Sequence, residues 1–341
     1  MITTDNHHPH TIIIAEAGVN HNGSLDMARE MVAAAAAAGA DYVKFQTAVP
    51  ELVISTIAPK AEYQKATTGT AESQLEMCRK IHLPLGDYAG LAGLCRREGI
   101  GFMSTPFDLV SIDTLIPLAM DYWKIPSGEI TNLPYLRKIG ALRGRVILST
   151  GMSTLDEVAA AVDLLEAAGT SRTDIILLHC TTQYPTLPAD VNLRAMDALK
   201  TLGCAAVGYS DHTQGITIPI AAVARGARVI EKHFTLDRSL PGPDHKASLE
   251  PQELAEMVKA IRTVEQALGS GIKAVAPSEA PNIEVARKSI VAARDIRAGE
   301  LLTEDNITVK RPGNGISPMK WDEVIGTRAT RDFPFDSLIE L

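Results

Sequence analysis

Short apolar runs alternate with longer amphipathic segments along most of the chain. Eight runs have the length of buried strands, and each ends in a polar or glycine-rich turn; they cover residues 12–15, 42–45, 101–104, 122–125, 146–149, 175–179, 205–209 and 229–232. Helical segments follow at 25–38, 84–98, 111–119, 133–142, 154–168, 192–202, 216–225 and 251–268. Eight strand-then-helix units predict a closed (β/α)₈ barrel rather than an open sheet.

Two stretches interrupt this alternation. Residues 49–81, between the second and third strands, are rich in Lys, Glu, Gln and Thr. They are either a surface excursion or a wall over the catalytic face, and loops of this length are more often functional. Residues 269–281 have the composition of a linker, and short β-like pieces follow at 289–292 and 307–310. The pattern predicts a barrel over 1–268, a linker over 269–283 and a small β-rich module over 284–341.

Composition limits the classes of function. The chain has 341 residues, a formal net charge of −8 and interspersed charges, so it lacks the basic stripe of a nucleic-acid-binding protein. Its four cysteines form no CxxC pair, which favours reduced thiols. The polar N-terminus shows no secretory signal, and no apolar run approaches the length of a membrane span. We therefore expect a cytoplasmic protein that binds neither nucleic acid nor membrane.

Two histidines lie at or just past the ends of neighbouring strands. His212 belongs to the segment GYSDHT at 208–213, and His233 to IEKHFT at 230–235. Barrel enzymes keep their chemistry at this end of the strands. Two imidazoles with no third strong ligand nearby in sequence predict an open divalent metal site, with positions left for water and substrate.

Lysines and hydroxyl groups are concentrated at the other strand ends. Lys44 and Lys124 lie within apolar strands, where a charge is costly unless it is paired or meets a ligand. One interpretation is a pair of structural salt bridges to Glu16 or Glu129; strand-end clustering favours a site. With nearby hydroxyls and glycine-flanked amides, the lysines suit a small phosphorylated carboxylic acid. The sequence contains neither a Walker loop nor a GxGxxG after a strand.

An ordered set of motifs runs from Ile12 to the C-terminus. They are AEAGVNHNG (15–23), VKFQT (43–47), STPF (104–107), WKIPSGE (123–129), LSTGM (148–152), HCT (179–181), YPT (184–186), SDHT (210–213), EKHFT (231–235), GPD (242–244) and KRPGNG (310–315). Together they resemble the bacterial sialic acid synthase family. Segments 58–64 and 72–77 look most like the N-acetylneuraminate synthases within it.

The resemblance implies a TIM barrel joined to an antifreeze-protein-like (SAF) module, in a domain-swapped homodimer. It implies condensation of phosphoenolpyruvate with N-acetylmannosamine and water, with C–O cleavage, to give N-acetylneuraminate and phosphate. The implied ligands of a divalent manganese or magnesium ion are His212 and His233, and those of phosphoenolpyruvate are Lys44, Lys124, Ser127, Ser149 and Thr182. The sugar would meet Glu16, Gln46, Tyr184, Asp244 and the other subunit's Arg311. Glu16 or Glu129 would be the general acid or base, beside Lys44 and Lys124.

Three other functions remain open on the sequence alone. A legionaminic or pseudaminic acid synthase would run the same chemistry on a 2,4-diacetamido-trideoxy hexose. A Schiff-base aldolase would use Lys44, Lys124 or Lys232 as its nucleophile. A carbohydrate-binding protein without catalysis would have no need for two lysines, two histidines and two glutamates in one cleft.

Overall fold

The computed structural model describes residues 10–341, which form two compact units divided between Ser270 and Gly271. The predicted polar N-terminus therefore lies largely outside the described residues. None of the helices within 10–341 is long and apolar enough to span a lipid bilayer.

The first unit is built on eight parallel strands. They are β1 (Ile12–Gly18), β2 (Tyr42–Thr47), β3 (Gly101–Pro106), β4 (Trp123–Ile125), β5 (Val146–Ser149), β6 (Ile175–His179), β7 (Ala206–Asp211) and β8 (Val229–His233). The hydrogen-bonded order is β3-β2-β1-β8-β7-β6-β5-β4, so each strand pairs with its sequence neighbour and β1 pairs with β8. The two end strands, β3 and β4, lie beside each other and nearly close the ring. This confirms the predicted barrel.

Helices cover the outside of the strands and fill the long insertion. They are α1 (Leu25–Ala37), α2 (Pro50–Val53), α3 (Glu62–Thr68), α4 (Gln74–Ile81), α5 (Asp87–Glu98), α6 (Leu109–Leu115), α7 (Leu133–Ala141), α8 (Leu155–Ala168), α9 (Pro188–Val191), α10 (Ala195–Lys200), α11 (Thr217–Ala224) and α12 (Pro251–Leu268). The helix predicted at 192–202 is shorter than expected, because Asn192 takes a left-handed conformation (φ 48°) that ends α9. The one predicted at 111–119 begins earlier, since Asp108 caps it by accepting from the Ser111 amide at 2.8 Å.

Two apolar layers hold the barrel together. The larger lies between strands and helices and takes the outward residues of each strand, such as Ile13 and Ala15 on β1. The smaller fills the inside of the ring and includes Ile14, Met103 and Ile147. Side chains alternate along a strand, so the residue two positions after each inner-layer residue also points into the ring. These later residues lie nearer the C-terminal ends of the strands.

The second unit is a small β-rich module with its own core. It contains α13 (Ala280–Ala286), β9 (Ser289–Ala292), β10 (Ile307–Lys310) and α14 (Trp321–Val324), with β9 and β10 paired antiparallel. Its buried residues include Ile290, Leu302 and Phe333. The predicted linker extends to residue 283, whereas the structure already has helix α13 from Ala280.

Candidate active site

The inner face of the barrel changes from apolar to polar along its strands. Residues two positions apart on a strand point to the same side of the sheet. On or next to six strands, an inward apolar or aromatic residue is followed two positions later by a polar one. The pairs are Ile14 and Glu16, Tyr42 and Lys44, Met103 and Thr105, Tyr122 and Lys124, Ile147 and Ser149, and Val229 and Glu231. The first members of these pairs close the bottom of the barrel. The polar members line a cavity of about 310 Å³ at the C-terminal end of the strands.

Four buried charged side chains form the bottom of this cavity, and we call Glu16, Lys44, Lys124 and Glu231 the charged floor. The Lys44 ammonium lies 2.7 Å from a Glu16 oxygen and 3.7 Å from a Glu231 oxygen. Lys124 lies 3.9 Å from Glu231. Each of the four is at most 5 % exposed, so these charges interact with little screening by water.

Hydroxyl groups add hydrogen bonds to the charged floor. Lys44 donates to Thr105 Oγ1 at 2.9 Å, and Lys124 donates to Ser149 Oγ at 2.7 Å. Ser210 donates to a Glu231 oxygen at 3.0 Å. The salt-bridge interpretation of the lysines is thus correct for Lys44 with Glu16, but Lys124 pairs with Glu231 rather than with Glu129.

The two floor carboxylates have opposite pKa shifts. Burial raises the pKa of Glu16 to about 7, because it outweighs the opposing effect of Lys44. Burial also acts on Glu231, but Lys124 and Lys44 on either side hold the pKa of its carboxyl below the usual value. Burial lowers the pKa of Lys124. Near neutral pH, Glu16 is therefore the floor group suited to exchanging a proton, while Glu231 stays ionised.

A second group of polar atoms lies beside Lys124. Ser127 Oγ accepts from the Gly151 amide at 2.9 Å and lies 3.3 Å from Cys180 Sγ. A Cβ atom at Gly151 would come within 2.7 Å of a Thr182 methyl carbon and 2.9 Å of Ser127 Oγ. Glycine at 151 therefore allows Ser127, Thr182 and Cys180 to pack closely around its backbone, and the Gly151 amide holds the Ser127 hydroxyl in place.

His212 and His233 converge at the cavity, with ring centroids 5.5 Å apart. The Nδ1–H of His212 donates to the Thr181 carbonyl oxygen at 2.6 Å, which leaves Nε2 without its proton and available as a ligand. The buried Nδ1 of His233 has no hydrogen-bond partner within residues 10–341. Burial lowers the pKa of both imidazoles and keeps them neutral. Two neutral imidazoles are ligands that suit a divalent cation, and the binding of such a cation here stays a prediction. Within residues 10–341, no group of three or more His, Cys, Asp or Glu side chains is arranged to hold a metal ion.

The insertion 49–81 forms one side of the cavity. Helices α2 and α4 and the residue after α2 contribute a set of lining residues that we call the apolar wall: Val53, Ile54, Met77, Cys78 and Ile81. Tyr63 of α3 packs against Tyr184 with ring centroids 5.0 Å apart, and Tyr184 packs against His212 at 4.1 Å. The insertion thus forms a wall of this cavity rather than a surface excursion, and Tyr184 packs between it and His212.

The predicted sugar-binding residues of the barrel also line this cavity. Gln46 donates to a Glu16 oxygen at 3.2 Å, and Tyr184 is packed as described. Asp244 is 7 % exposed, and burial raises the pKa of its carboxyl to about 6. Its carboxylate has no hydrogen-bond partner among residues 10–341, so it is available to a ligand.

Three sequence candidates lie elsewhere. The Glu129 carboxylate accepts from Asn132 at 2.6 Å and does not line the cavity, which leaves Glu16 as the acid–base candidate. Lys232 is fully buried on the outer face of β8, where it donates to Asp211 at 2.6 Å, so it is not a nucleophile in this cavity. Arg311 belongs to the second unit, where its Nε donates to the Ala286 carbonyl oxygen; its action in a partner's site stays a prediction.

Three site residues, Glu231, Thr105 and Ser210, are not among the sequence candidates. The signal for Glu231 is the strand period, because residues 231 and 233 are two apart on β8 and so share the inner face. Thr105 and Ser210 can be recognised in the same way, because Thr105 lies two residues after Met103 and Ser210 lies two residues before His212. Selecting the inward residues of each strand at a spacing of two would therefore have identified all three.

The fold and the site define a (β/α)₈ barrel with a charged floor and a pair of histidines lining one cavity. The chain belongs to the NeuB family, whose model matches residues 31–273, and a SAF domain model matches residues 287–340. It is an enzyme of the nonulosonic acid synthase type with a C-terminal SAF domain, which confirms the resemblance at the level of the family.

Named relatives differ in how similar they are to this chain. The N,N'-diacetyllegionaminic acid synthase of Campylobacter jejuni is 53% identical over 96% of this chain and 98% of its own length. The enzyme of the same name from Legionella pneumophila is 47% identical over 93% of this chain and 89% of its own. Among solved structures, a sialic acid synthetase from Leptospira borgpetersenii is 32% identical with a TM-score of 0.71, covering 83% of this chain and 95% of its own.

Proposed function

We propose that this enzyme condenses phosphoenolpyruvate with a 2,4-diacetamido-trideoxy hexose and water, releasing a diacetyllegionaminic acid and phosphate. The observation that carries the choice of acceptor is the near full-length identity to the Campylobacter diacetyllegionaminic acid synthase, well above that to the sialic acid synthetase. This revises the first expectation, in which N-acetylmannosamine was the acceptor, in favour of its alternative.

The apolar wall supports this acceptor. A diacetamido-trideoxy hexose carries two acetyl methyl groups and a terminal methyl group, whereas N-acetylmannosamine carries one methyl group and more hydroxyls. Val53, Ile54 and Met77 offer apolar surface to the cavity. Apolar side chains favour methyl groups and offer no partner to the hydroxyls that would be desolvated against them.

Phosphoenolpyruvate is proposed to bind at the charged floor and the adjacent hydroxyls. Lys44 and Lys124 supply two buried cations, and Ser127, Ser149 and Thr182 supply hydroxyl groups beside them. Buried ammonium groups hold an anionic carboxylate and phosphate strongly because little water competes with them. The same cations stabilise the negative charge that grows on the leaving phosphate.

The proposed reaction makes one carbon–carbon bond and breaks one carbon–oxygen bond. Carbon 3 of phosphoenolpyruvate attacks the aldehyde carbon of the open-chain sugar, and the aldehyde oxygen gains a proton to become a hydroxyl. Water adds to carbon 2 and loses a proton, and the resulting hemiketal phosphate collapses to a ketone and expels phosphate. Glu16, with its pKa of about 7 and its contact with Lys44, is proposed to give or take these protons.

His212 and His233 are proposed to hold a divalent manganese or magnesium ion. The free Nε2 of His212 and the buried, unpartnered Nδ1 of His233 support this. When bound, such a cation supplies Lewis-acid polarisation of a carbonyl oxygen. The two residues themselves hold their rings in place through the Thr181 carbonyl and the packing of Tyr184.

The test is phosphate release from phosphoenolpyruvate with each of three acceptors: a 2,4-diacetamido-trideoxy hexose, its pseudaminic-type isomer and N-acetylmannosamine. Each is measured with manganese and with EDTA. We expect release to be metal-dependent and to have its highest kcat/KM with the first sugar. A preference for N-acetylmannosamine would overturn the acceptor, and full activity in EDTA would overturn the metal. Borohydride trapping of a keto acid on the chain would overturn the mechanism.

A further inference from the structure

The loop that carries Asp244 is held in place from outside by the segment after β1. Asp244 follows Pro241-Gly-Pro and precedes a single 3₁₀ turn, His245–Ala247. Asp244 is 7 % exposed, and its carboxylate lines the cavity without a hydrogen-bond partner among the described residues. Since no side-chain contact of its own fixes this carboxylate, its position depends on how the backbone of the loop is held.

Asn20 provides one set of these bonds. Its Nδ2 donates to the Phe234 carbonyl oxygen and to Ser248 Oγ, both at 2.9 Å. Ser248 Oγ in turn donates to the backbone carbonyl oxygen of Asp244 at 2.7 Å. Asn20 and Ser248 are at most 3 % exposed. A continuous path of buried hydrogen bonds therefore runs from Asn20 to the backbone of Asp244.

Asn22 provides the second set. Its Nδ2 donates to the Pro241 carbonyl oxygen at 2.8 Å, which fixes the orientation of the amide because that carbonyl can only accept. Its Oδ1, 3.3 Å from His245 Nε2, must then accept the proton on that nitrogen. His245 Nδ1 lies 2.7 Å from the Thr235 hydroxyl, which also lies 3.1 Å from the Asp237 carbonyl oxygen. Both sides of the Asp244 loop are thus tied to one amide.

The fit between the two segments is close. Gly242 has φ +153°, and a Cβ atom there would lie 2.6 Å from His245 Cδ2 and 2.9 Å from Asn22 Oδ1. Asn22 itself has φ 50°, a conformation that Asn, Asp and Gly tolerate better than other residues. Asn20 and Asn22 flank His21, which is fully buried.

We propose that Asn20 and Asn22 are positioning residues for Asp244, and that they act on acceptor binding without touching the acceptor. The inference rests on the proposed function and on the predicted contact of Asp244 with a hydroxyl or amide group of the sugar. This assigns a role to the asparagines of the NHNG segment, which belong to neither the charged floor nor the histidine pair.

The test compares two Asn22 variants with the unmodified full-length enzyme. Asn22→Asp keeps the shape, the tolerance of positive φ and the acceptor for His245, but loses the donor to Pro241. Asn22→Gly keeps the backbone conformation and loses both bonds. We expect the KM for the acceptor sugar to rise about fivefold, the effect of losing one hydrogen bond that water can partly replace, while the KM for phosphoenolpyruvate is unchanged.

Asn192→Gly is the matched control. Asn192 has φ 48° and ends α9 without lining the cavity, so this substitution makes the same chemical change at the same backbone conformation. We expect both KM values of this variant to equal those of the unmodified enzyme. Calorimetric titration with phosphoenolpyruvate checks that each variant still folds an intact floor.

A double-mutant cycle with Asp244→Asn isolates the path through Asp244. If Asn22 acts through that carboxylate, Asn22→Gly raises the acceptor KM when Asp244 is present. The same substitution has little further effect on this KM in the Asp244→Asn variant. An equal effect in both backgrounds, or equal rises in both KM values, would overturn the inference. The acceptor in this assay is whichever sugar the unmodified enzyme uses best, so a wrong acceptor class changes the sugar and leaves the comparison intact.

Discussion

The charged floor and the apolar wall line the same cavity but come from different kinds of structure. The floor lies on strands β1, β2, β4 and β8, whose backbones are fixed by pairing on both sides or by the closure of the ring. The wall comes from α2, the residue after it and α4, which are helices of the insertion outside the barrel repeat. Strands hold reacting groups more precisely than loops do.

Because the floor and the wall are built from separate elements, a barrel of this design can keep the condensation reaction and change the acceptor sugar. The floor is proposed to meet phosphoenolpyruvate, which the reaction uses whichever sugar is the acceptor, and its four charges depend on one another. The wall is proposed to meet the part of the acceptor that differs between sugars. We therefore expect changes in the floor to reduce the rate with every acceptor, and changes in the wall to alter the choice among them.

The largest expected effect is that of removing a floor cation. Lys124→Met keeps the length of the side chain but removes the charge that faces Glu231 and Ser149. We expect kcat to fall about 10³-fold, the size seen when a preorganised group that stabilises transition-state charge is lost. The fall is the same for every acceptor, and steady-state phosphate release measures it.

Lys60→Met is the matched control for that experiment. Lys60 is a buried lysine of the insertion, 6 % exposed, and it donates to Thr68 Oγ1 at 3.0 Å and to the Gly69 carbonyl oxygen at 3.2 Å. We expect its loss to raise the KM for the acceptor and to leave kcat nearly intact. Equal falls in kcat for the two variants would contradict the division between floor and wall.

The floor was largely predictable from sequence, and the reason is the strand period. A lysine inside an apolar strand, as at Lys44 and Lys124, stands out against its neighbours, and barrel geometry brings strand ends together. The exceptions are Glu231, a floor residue absent from the sequence candidates, and Glu129, a candidate that lies outside the cavity. Glu129 follows β4 in a 3₁₀ turn, Ser127–Glu129, where no simple period gives the direction of a side chain, and the turn directs it to Asn132.

The wall was predictable only as a region. Its helices α2 and α4 are four and eight residues long, too short for a helical period to show which side chains face the cavity. Long-range hydrogen bonds were also hidden: nothing in the local sequence links Asn22 with Pro241, which is 219 residues away along the chain. Contacts of this kind follow from the closed ring, which brings β1 beside β8.

An effect of intermediate size is expected for Asp244→Asn, which should raise the stability at pH 8 but weaken acceptor binding. The Asp244 carboxyl titrates near 3.8 when unfolded and about 6 when folded, so its ionisation opposes folding as the pH rises through this range. Above pH 6 the cost is about 3 kcal/mol in the free energy of unfolding. Asp244→Asn stays neutral, so we expect it to be more stable than the unmodified protein at pH 8, to lose that advantage near pH 4, and to bind the acceptor less well.

Denaturant unfolding at the two pH values measures this, and Asp211→Asn is its control. Asp211 is fully buried, and unlike Asp244 it is paired, with Lys232 at 2.6 Å. Breaking that pair leaves an uncompensated charge and is expected to destabilise by about 3–5 kcal/mol. If Asp244→Asn destabilised the protein at pH 8 as Asp211→Asn does, Asp244 would be a structural residue rather than one held ready for a ligand.

The smallest effect is expected from one methyl group of the apolar wall. Val53→Thr replaces a methyl by a hydroxyl of nearly the same shape at the cavity, and Val110→Thr makes the same change on α6, away from it. Losing about one buried methyl contact should reduce the preference for the diacetamido sugar over N-acetylmannosamine about fourfold, because the hydroxyl also offers a partner to the sugar's own hydroxyls. The ratio of kcat/KM for the two sugars measures it. An unchanged ratio in Val53→Thr, or the same change in Val110→Thr, would mean that the acceptor is chosen elsewhere in the cavity and that the wall only excludes water.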